Sequence, residues 1–137
     1  MSEHNVKLAR RGYQALMRGD VDAIHALLAP DVSWQGWDPG EGDCHNRAEA
    51  MSMIKERLQE RAIGELEQII DIDDERVVVV TRGNPDFAQR HAELGLPEGH
   101  DELASLVTIR EGTVISMRDY KTKDEALAAA GEGANGA

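Results

Sequence analysis

The sequence predicts a single α+β domain in which helices come first along the chain and antiparallel strands follow. Apolar residues recur at helical spacing before Leu66, and from Leu66 onward the pattern changes to the alternation that is typical of strands. The length of 137 residues suits one domain with one core. Helices followed by a run of strands indicate helices that cover one face of a curved sheet.

The first part of the chain predicts two consecutive helices. The first covers residues 5–18, and Gly19 then fits the left-handed residue that commonly ends a helix. Asp20 is expected to cap a short second helix, which Pro30 ends because proline cannot continue a helix.

A third helix and five strands complete the predicted secondary structure. Asn46, followed by Glu49, has the form of a capping box, and Met51, Ile54 and Leu58 after it share one apolar helical face. The strands are predicted at residues 32–37, 66–72, 77–82, 103–109 and 113–121. Hairpin turns are predicted between the second and third strands and between the fourth and fifth.

The segment from Asn84 to Gly99 interrupts the run of strands. Asn84, Pro85 and Gly95 fit a cap, a first-turn proline and a C-terminal stop, which predicts a short inserted helix. Because the segment lies between two strands of the expected pocket, we expect it to form a flap over the pocket mouth.

No repeat and no long linker divides the chain, so residues 1–130 are predicted to be one domain. A last helical turn is expected at residues 125–130. The Gly/Ala-rich residues 131–137 are expected to form a flexible tail.

Composition restricts the partners of the domain. The net charge of −11 argues against nucleic acid, whose phosphates require clustered Lys and Arg. The longest apolar run, Val77 to Val80, is far shorter than the ~20 residues of a membrane span. No signal-peptide pattern is present at the N-terminus, so a cytoplasmic protein is expected. A single cysteine, Cys44, excludes an internal disulfide and a Cys-rich zinc site, and we expect neither a metal nor a cofactor.

Two runs of sequence resemble the SnoaL-like branch of the NTF2-like superfamily. One is GYQALMRGDVDAI at residues 12–24 with LLAPDV at 27–32, and the other is REGTVISMRDY at 110–120. The resemblance implies a cone-shaped barrel in which three N-terminal helices pack on a curved, mostly antiparallel sheet around an internal pocket. It also implies a homodimer, and we expect the sheet face with Ser116, Arg118 and Tyr120 to be uncovered by helices. This superfamily includes isomerases, cyclases, hydrolases and non-catalytic modules, so the resemblance predicts fold more directly than activity.

The catalytic residues of ketosteroid isomerase have no counterparts at the matching positions of this sequence. The position of its helical tyrosine falls on Gly12, that of its base on Gly36, and that of its second aspartate on or near Ser105. Asp38 is the candidate for a displaced base, although a turn-capping role is the alternative.

Limonene-type epoxide hydrolases and SnoaL-type cyclases match in part. The Arg118–Tyr120 step resembles the hydrolase step whose aspartate lies in the pocket. Arg82-Gly83-Asn84, however, stands where the hydrolases have an Arg-x-Asp pair, and Trp34 and Gly36 stand where they have the tyrosine and the asparagine that hold the water. The cyclases imply an acid and a histidine, for which Asp119 and either His100 or His91 are the candidates.

Asp119 is the main candidate for chemistry. Alternation along the last strand places it with Ile115 and Met117 on the apolar inward face, where burial raises the pKa of a carboxyl group. It is therefore either a general acid–base or half of a structural ion pair, with Arg82 as the expected partner and second catalytic residue.

The sequence thus predicts a small-molecule pocket protein, an isomerase, cyclase, lyase or hydrolase that uses Asp119. The alternative is a non-catalytic ligand-binding or dimerisation module. The expected ligand is a small apolar or polyketide-like molecule. The residues predicted to contact the ligand are Trp34, Tyr13, Asp38, Ser105, Met117 and His100. For the two aromatic residues, packing in the core is the alternative role.

Overall fold

Five strands form one curved, open sheet in the computed structural model, which describes residues 3–36, 43–59, 64–83 and 102–135. The sheet order is β1-β5-β4-β3-β2, and only the β1–β5 pair is parallel. The prediction of a curved, mostly antiparallel sheet is therefore confirmed. The strands are β1 (Leu28–Gln35), β2 (Glu65–Asp71), β3 (Arg76–Arg82), β4 (Glu102–Arg110) and β5 (Thr113–Tyr120).

Four helices accompany the sheet in the described part of the chain: α1 (Glu3–Arg18), α2 (Val21–Leu27), α3 (Arg47–Gln59) and α4 (Lys123–Asn135). Only α1 and α2 precede the first strand, so the expected count of three N-terminal helices is corrected to two, with α3 after β1. None of these described helices is long and apolar enough to span a bilayer.

The local signals between α1 and β1 are confirmed in part. Gly19 has φ = 70° and ends α1, and the Asp20 carboxylate accepts a hydrogen bond of 3.2 Å from the backbone N–H of Ala23. Pro30, however, does not end α2, because the chain is already extended at Leu28 and Pro30 lies inside β1. This position tolerates proline because β1 is an edge strand and its pairing with β5 is irregular there.

One of the two hydrogen bonds expected of the α3 capping box is present, and the other is made to the residue before the predicted one. Asn46 Oδ1 accepts a 2.9 Å hydrogen bond from the backbone N–H of Glu49, as expected. The Glu49 carboxylate accepts from the backbone N–H of His45 at 2.7 Å, and not from that of Asn46.

Helix α4 packs on the sheet face opposite to α1. Its Ala126 is buried against Val78, Val80 and Ala104, with Tyr120 at the margin of this cluster. The expectation that helices leave the Tyr120 face uncovered is therefore wrong. The helix also continues to Asn135, beyond the turn that was predicted to end at residue 130.

Candidate functional site

A cavity of about 190 Å³ lies between the helical layer and the other face of the sheet. Its volume exceeds the ~150 Å³ of an apolar cavity that holds benzene and is below the ~300 Å³ at which drug-sized pockets begin. The cavity therefore suits a molecule of one or two rings. Most of its wall is apolar, including Leu8, Leu16, Leu27, Ile54, Val107 and Ile109.

Four of the residues predicted to contact a ligand line this cavity. They come from four different elements: Tyr13 from α1, Trp34 from β1, Ser105 from β4 and Met117 from β5. Alternation in β1 correctly predicted that Val32 and Trp34 share the inward face, since both are buried. Their contact with a ligand stays a prediction.

The Asp119 carboxyl group is buried beside the cavity and is held by two hydrogen bonds. Ser105 Oγ donates to Oδ1 at 2.6 Å, and Trp34 Nε1 donates to Oδ2 at 3.1 Å. Ser105 is the cross-strand partner of Asp119, so the antiparallel register brings the two side chains together. Only 1% of Asp119 is exposed, which confirms the inward placement predicted from the alternation of β5.

Burial raises the pKa of Asp119 above its ordinary value, because a carboxylate loses its hydration when it is removed from water. The Arg57 guanidinium and the hydrogen bonds from Ser105 and Trp34 act in the opposite direction and offset part of this rise. A carboxyl group with a raised pKa gains and loses a proton closer to neutral pH than an exposed one does.

Arg82 is not the cation of Asp119, so that expected pairing is wrong. Its Nε lies 2.6 Å from Glu67 Oε2, and its NH2 nitrogen lies 3.1 Å from Glu102 Oε1. The register gives the reason: Val79 is opposite Ser105, which is opposite Asp119, so odd-numbered β3 residues share the Asp119 face. Arg82 belongs to the other set.

The cation near Asp119 is Arg57, on α3, which was absent from the sequence-based candidates. One guanidinium nitrogen lies 3.9 Å from Asp119 Oδ2, and the guanidinium carbon lies 4.9 Å from the centre of the Trp34 ring. Arg57 also lines the cavity and is 26% exposed at its side chain. The signal in the sequence was its position three residues after Ile54, which places an arginine on the apolar face of α3.

The Asp119 carboxyl group stands behind the cavity wall. Asp119 is not part of the lining, whereas its contacts Ser105, Trp34 and Arg57 all are. A molecule in the cavity would therefore meet the Ser105 hydroxyl and the Arg57 guanidinium before the carboxyl group.

The Tyr13 hydroxyl is buried and has no hydrogen-bond partner among the described residues. Burial, with a smaller contribution from Glu65, raises the pKa of Tyr13 to about 12, although the nearby Leu66 backbone offsets part of the rise. The hydroxyl forms no hydrogen bond with that backbone or with any other described group. Tyr13 is thus a neutral group that can donate a hydrogen bond inside an apolar wall.

The remaining candidates that lie in the described part of the chain do not form a second site. Cys44 is buried, its backbone pairs with that of Trp34, and burial followed by the Glu49 charge raises the pKa of its thiol. The described ranges contain no group of three or more His, Cys, Asp or Glu residues that could hold a metal ion. Asp38, His100 and the predicted flap at 84–99 lie outside the described residues.

Comparison with known proteins places the fold. A family model described as a SnoaL-like domain matches residues 9–117. No curated protein sequence matches the chain. Among solved structures, Bal32a from a soil-derived mobile gene cassette has a TM-score of 0.65 and 21% identity, covering 87% of this chain and 89% of its own.

Two further structures are of proteins with proposed activities. A proposed polyketide cyclase from Sinorhizobium meliloti has a TM-score of 0.61 and 16% identity, covering 83% of this chain and 94% of its own. A proposed ketosteroid isomerase from Kribbella flavida has a TM-score of 0.59 and 20% identity, covering 85% of this chain and 76% of its own. At these identities the likeness shows the fold alone.

Proposed function

The chain belongs to the SnoaL-like domain family, and on that premise we propose that it binds a small, mostly apolar carbonyl compound and transfers a proton on it. The reaction would be that of an isomerase, a cyclase or a lyase. The observation that carries the proposal is the buried Asp119 carboxyl group, hydrogen-bonded by Ser105 and adjacent to Arg57 at the wall of an apolar cavity.

Ser105 connects the bound molecule to Asp119 in this proposal. The serine oxygen accepts a proton from the carbon next to the carbonyl group while its own proton passes to Asp119 Oδ1. The C–H electron pair then moves into the carbonyl group, giving an enolate. The carboxyl group becomes neutral, which is the form that burial favours.

Arg57 stabilises the negative oxygen of the enolate. Its guanidinium lines the cavity, and its 3.9 Å separation from Asp119 is longer than a charge-assisted hydrogen bond, so its donors are not all committed to the carboxylate. A fixed donor aimed at developing charge is worth more in an apolar site than in water. Return of the proton to another carbon completes an isomerisation, and attack of the enolate on a second carbonyl group completes a cyclisation.

The names of the similar structures agree with this class of substrate. One is of a proposed polyketide cyclase and the other of a proposed ketosteroid isomerase, and both names denote ketones. Their low identity means that they support a reaction class for this chain and no particular substrate.

Hydrogen exchange tests the proposal without knowledge of the natural substrate. Indan-2-one, a bicyclic ketone, is incubated in deuterated buffer, and the incorporation of deuterium next to its carbonyl group is followed by NMR. We expect the protein to accelerate exchange, and Ser105→Ala and Asp119→Asn each to reduce it by about 100-fold or more. Ser33→Ala, on the edge strand, is the matched control and should leave exchange unchanged. Equal rates in the protein, both variants and buffer would contradict the proposal.

A non-catalytic ligand-binding module is the second candidate. It is favoured by the position of Asp119, because both carboxyl oxygens already have partners and Asp119 itself does not line the cavity. In this case indan-2-one binds, Asp119→Asn leaves its affinity within about twofold, and exchange proceeds only at the rate measured in buffer; a twofold change corresponds to about 0.4 kcal/mol.

We also propose that the chain forms a homodimer in the cytoplasm and binds neither nucleic acid nor membrane. The acidic net charge of −11 supports the absence of nucleic acid. The dimer would use the part of the outer sheet face that α4 leaves open, where Arg118 is exposed.

A further inference from the structure

The Tyr13 side chain lines the cavity and carries a polar atom without a partner among the described residues. Its hydroxyl is fully buried and has no hydrogen-bond partner in the described part of the chain. A buried hydroxyl without a partner costs free energy, because it loses its hydrogen bonds to water and gains none. Such an atom in a cavity wall indicates a group whose partner is the bound molecule.

Arg57 and Tyr13 lie toward opposite edges of the sheet. Arg57 is on α3, which packs on β1, whereas Tyr13 is on α1, which packs on β2 and β3. The sheet order makes β1 and β2 the two edges, with Ser105 on the central strand between them. The cavity thus has a cationic polar group at one side and a neutral donor at the other.

The wall between these two groups is mostly apolar. Val79, Val107 and Met117 line it from the sheet, and the Thr81 hydroxyl, which also lines it, is directed toward the Leu103 carbonyl oxygen at 3.5 Å. An ordered water would need two or more polar partners to stay beside Tyr13, and this wall provides few.

We propose that the ligand carries an oxygen at each of two separated ends of an apolar body. A negatively charged or carbonyl oxygen binds the Arg57 guanidinium, and a second, uncharged acceptor oxygen takes the hydrogen bond of the Tyr13 hydroxyl. This inference rests on the proposed binding function and adds to it the arrangement of polar groups on the ligand.

A pair of nearly isosteric probes tests the Tyr13 contact. 4-Acetylbenzoate and 4-isopropylbenzoate share the carboxylate and the ring, and differ in whether the far end offers an acceptor. Binding is measured by calorimetry to the full chain, to Tyr13→Phe and to Tyr120→Phe, the matched variant of the second tyrosine on the outer face. p-Cymene, which has no oxygen, reports whether the cavity accepts an apolar molecule.

We expect the wild type and Tyr120→Phe to prefer 4-acetylbenzoate by about fivefold, the size of one neutral hydrogen bond, and Tyr13→Phe to lose that preference. Arg57→Gln should weaken both benzoates about tenfold and leave p-cymene unchanged, since charged hydrogen bonds are worth more than neutral ones. Tyr13→Phe should have an unchanged or higher Tm, because it removes an unpaired buried atom.

The measurements distinguish a wrong arrangement of the ligand's oxygens from a failure of the proposed binding function. If p-cymene binds but the acetyl preference is absent or survives in Tyr13→Phe, the two-ended ligand is wrong and the binding cavity stands. A lower Tm of Tyr13→Phe shows that the hydroxyl has a protein partner, which also overturns the inference. If no probe binds, the proposed binding function fails together with it.

Discussion

Two hydrogen-bond donors and a cation stabilise the charged form of the Asp119 carboxyl group, whereas its burial destabilises that form. Ser105 and Trp34 donate to it and Arg57 is near, yet burial dominates and the pKa is raised. The carboxyl group is therefore kept close to the protonation change that acid–base chemistry requires. Ser105, Trp34 and Arg57 also line the cavity. The effects of substitutions in this cluster on stability and on activity can therefore be measured separately.

Asp119→Asn should keep or raise the stability of the protein at pH 7. The amide oxygen can accept from Trp34, the amide nitrogen can donate to the Ser105 oxygen, and the partly exposed Arg57 can be solvated. Urea denaturation should show a free energy of unfolding equal to or above that of the wild type. Asp31→Asn, at an exposed strand position, is the control. A loss of about 3 kcal/mol or more would show instead that the Arg57–Asp119 pair stabilises the fold.

The pH dependence of Asp119 follows from the direction of its pKa shift. Its folded pKa lies above its unfolded value of about 3.9, so the folded state binds more protons between the two. Stability from this group is fully present below the unfolded pKa and decreases as pH rises through the folded pKa. The wild-type minus Asp119→Asn difference in unfolding free energy should therefore fall as pH increases from 4. A difference that rises with pH contradicts the raised pKa.

Arg57 and Arg82 provide a matched pair of arginine variants. Arg57→Gln should weaken the binding of benzoate to the cavity about tenfold, because it removes the charged donor from the wall. Arg82→Gln should change benzoate affinity less than twofold, since Arg82 pairs with Glu67 and Glu102 and does not line the cavity. Calorimetry measures both, and equal losses would contradict the assignment of Arg57 as the cation of the site.

At the scale of the elements, helix ends determine how α1 and α2 form the cavity wall. Gly19 adopts φ = 70° between them, and α2 then carries Ile24 and Leu27 into the lining. The turn is local in sequence, which is why its glycine and its Asp20 cap were predictable.

Two glycine variants test the elements in opposite directions. Gly19→Ala should lower the unfolding free energy by about 1 kcal/mol, because an alanine Cβ crowds the backbone at positive φ. Gly131→Ala, in α4 at an ordinary helical position with open space around it, should raise it by about 0.5 kcal/mol. Thermal and urea denaturation measure both. Destabilisation by Gly131→Ala would contradict the helical assignment of that part of α4.

At the scale of the whole molecule, the two faces of the sheet have different roles. One face and helices α1–α3 line the cavity, whereas α4 packs against the other face at Val78, Val80 and Ala104. The sheet face available to the proposed dimer is thus smaller than the sequence suggested, and the exposed Arg118 lies on it.

The predicted homodimer should sediment at about twice the 15.0 kDa of one chain at micromolar concentration. Arg118→Glu should shift it toward the monomer, because a reversed charge appears twice across a two-fold interface. Lys55→Glu, exposed on α3 on the other side of the sheet, is the charge-matched control. A wild-type mass near that of a single chain would contradict the dimer.

The sequence by itself determined the features that depend on neighbouring residues. The positive-φ glycine at 19, the Asp20 cap and the alternation that turns Trp34 and Asp119 inward follow from helical and strand periods, which need no knowledge of distant contacts. Tertiary structure alone decided which cation meets Asp119 and where Pro30 lies. Arg57 reaches Asp119 because α3 packs over β1, while strand register turns Arg82 to the opposite face, and neither packing nor register is encoded in local spacing.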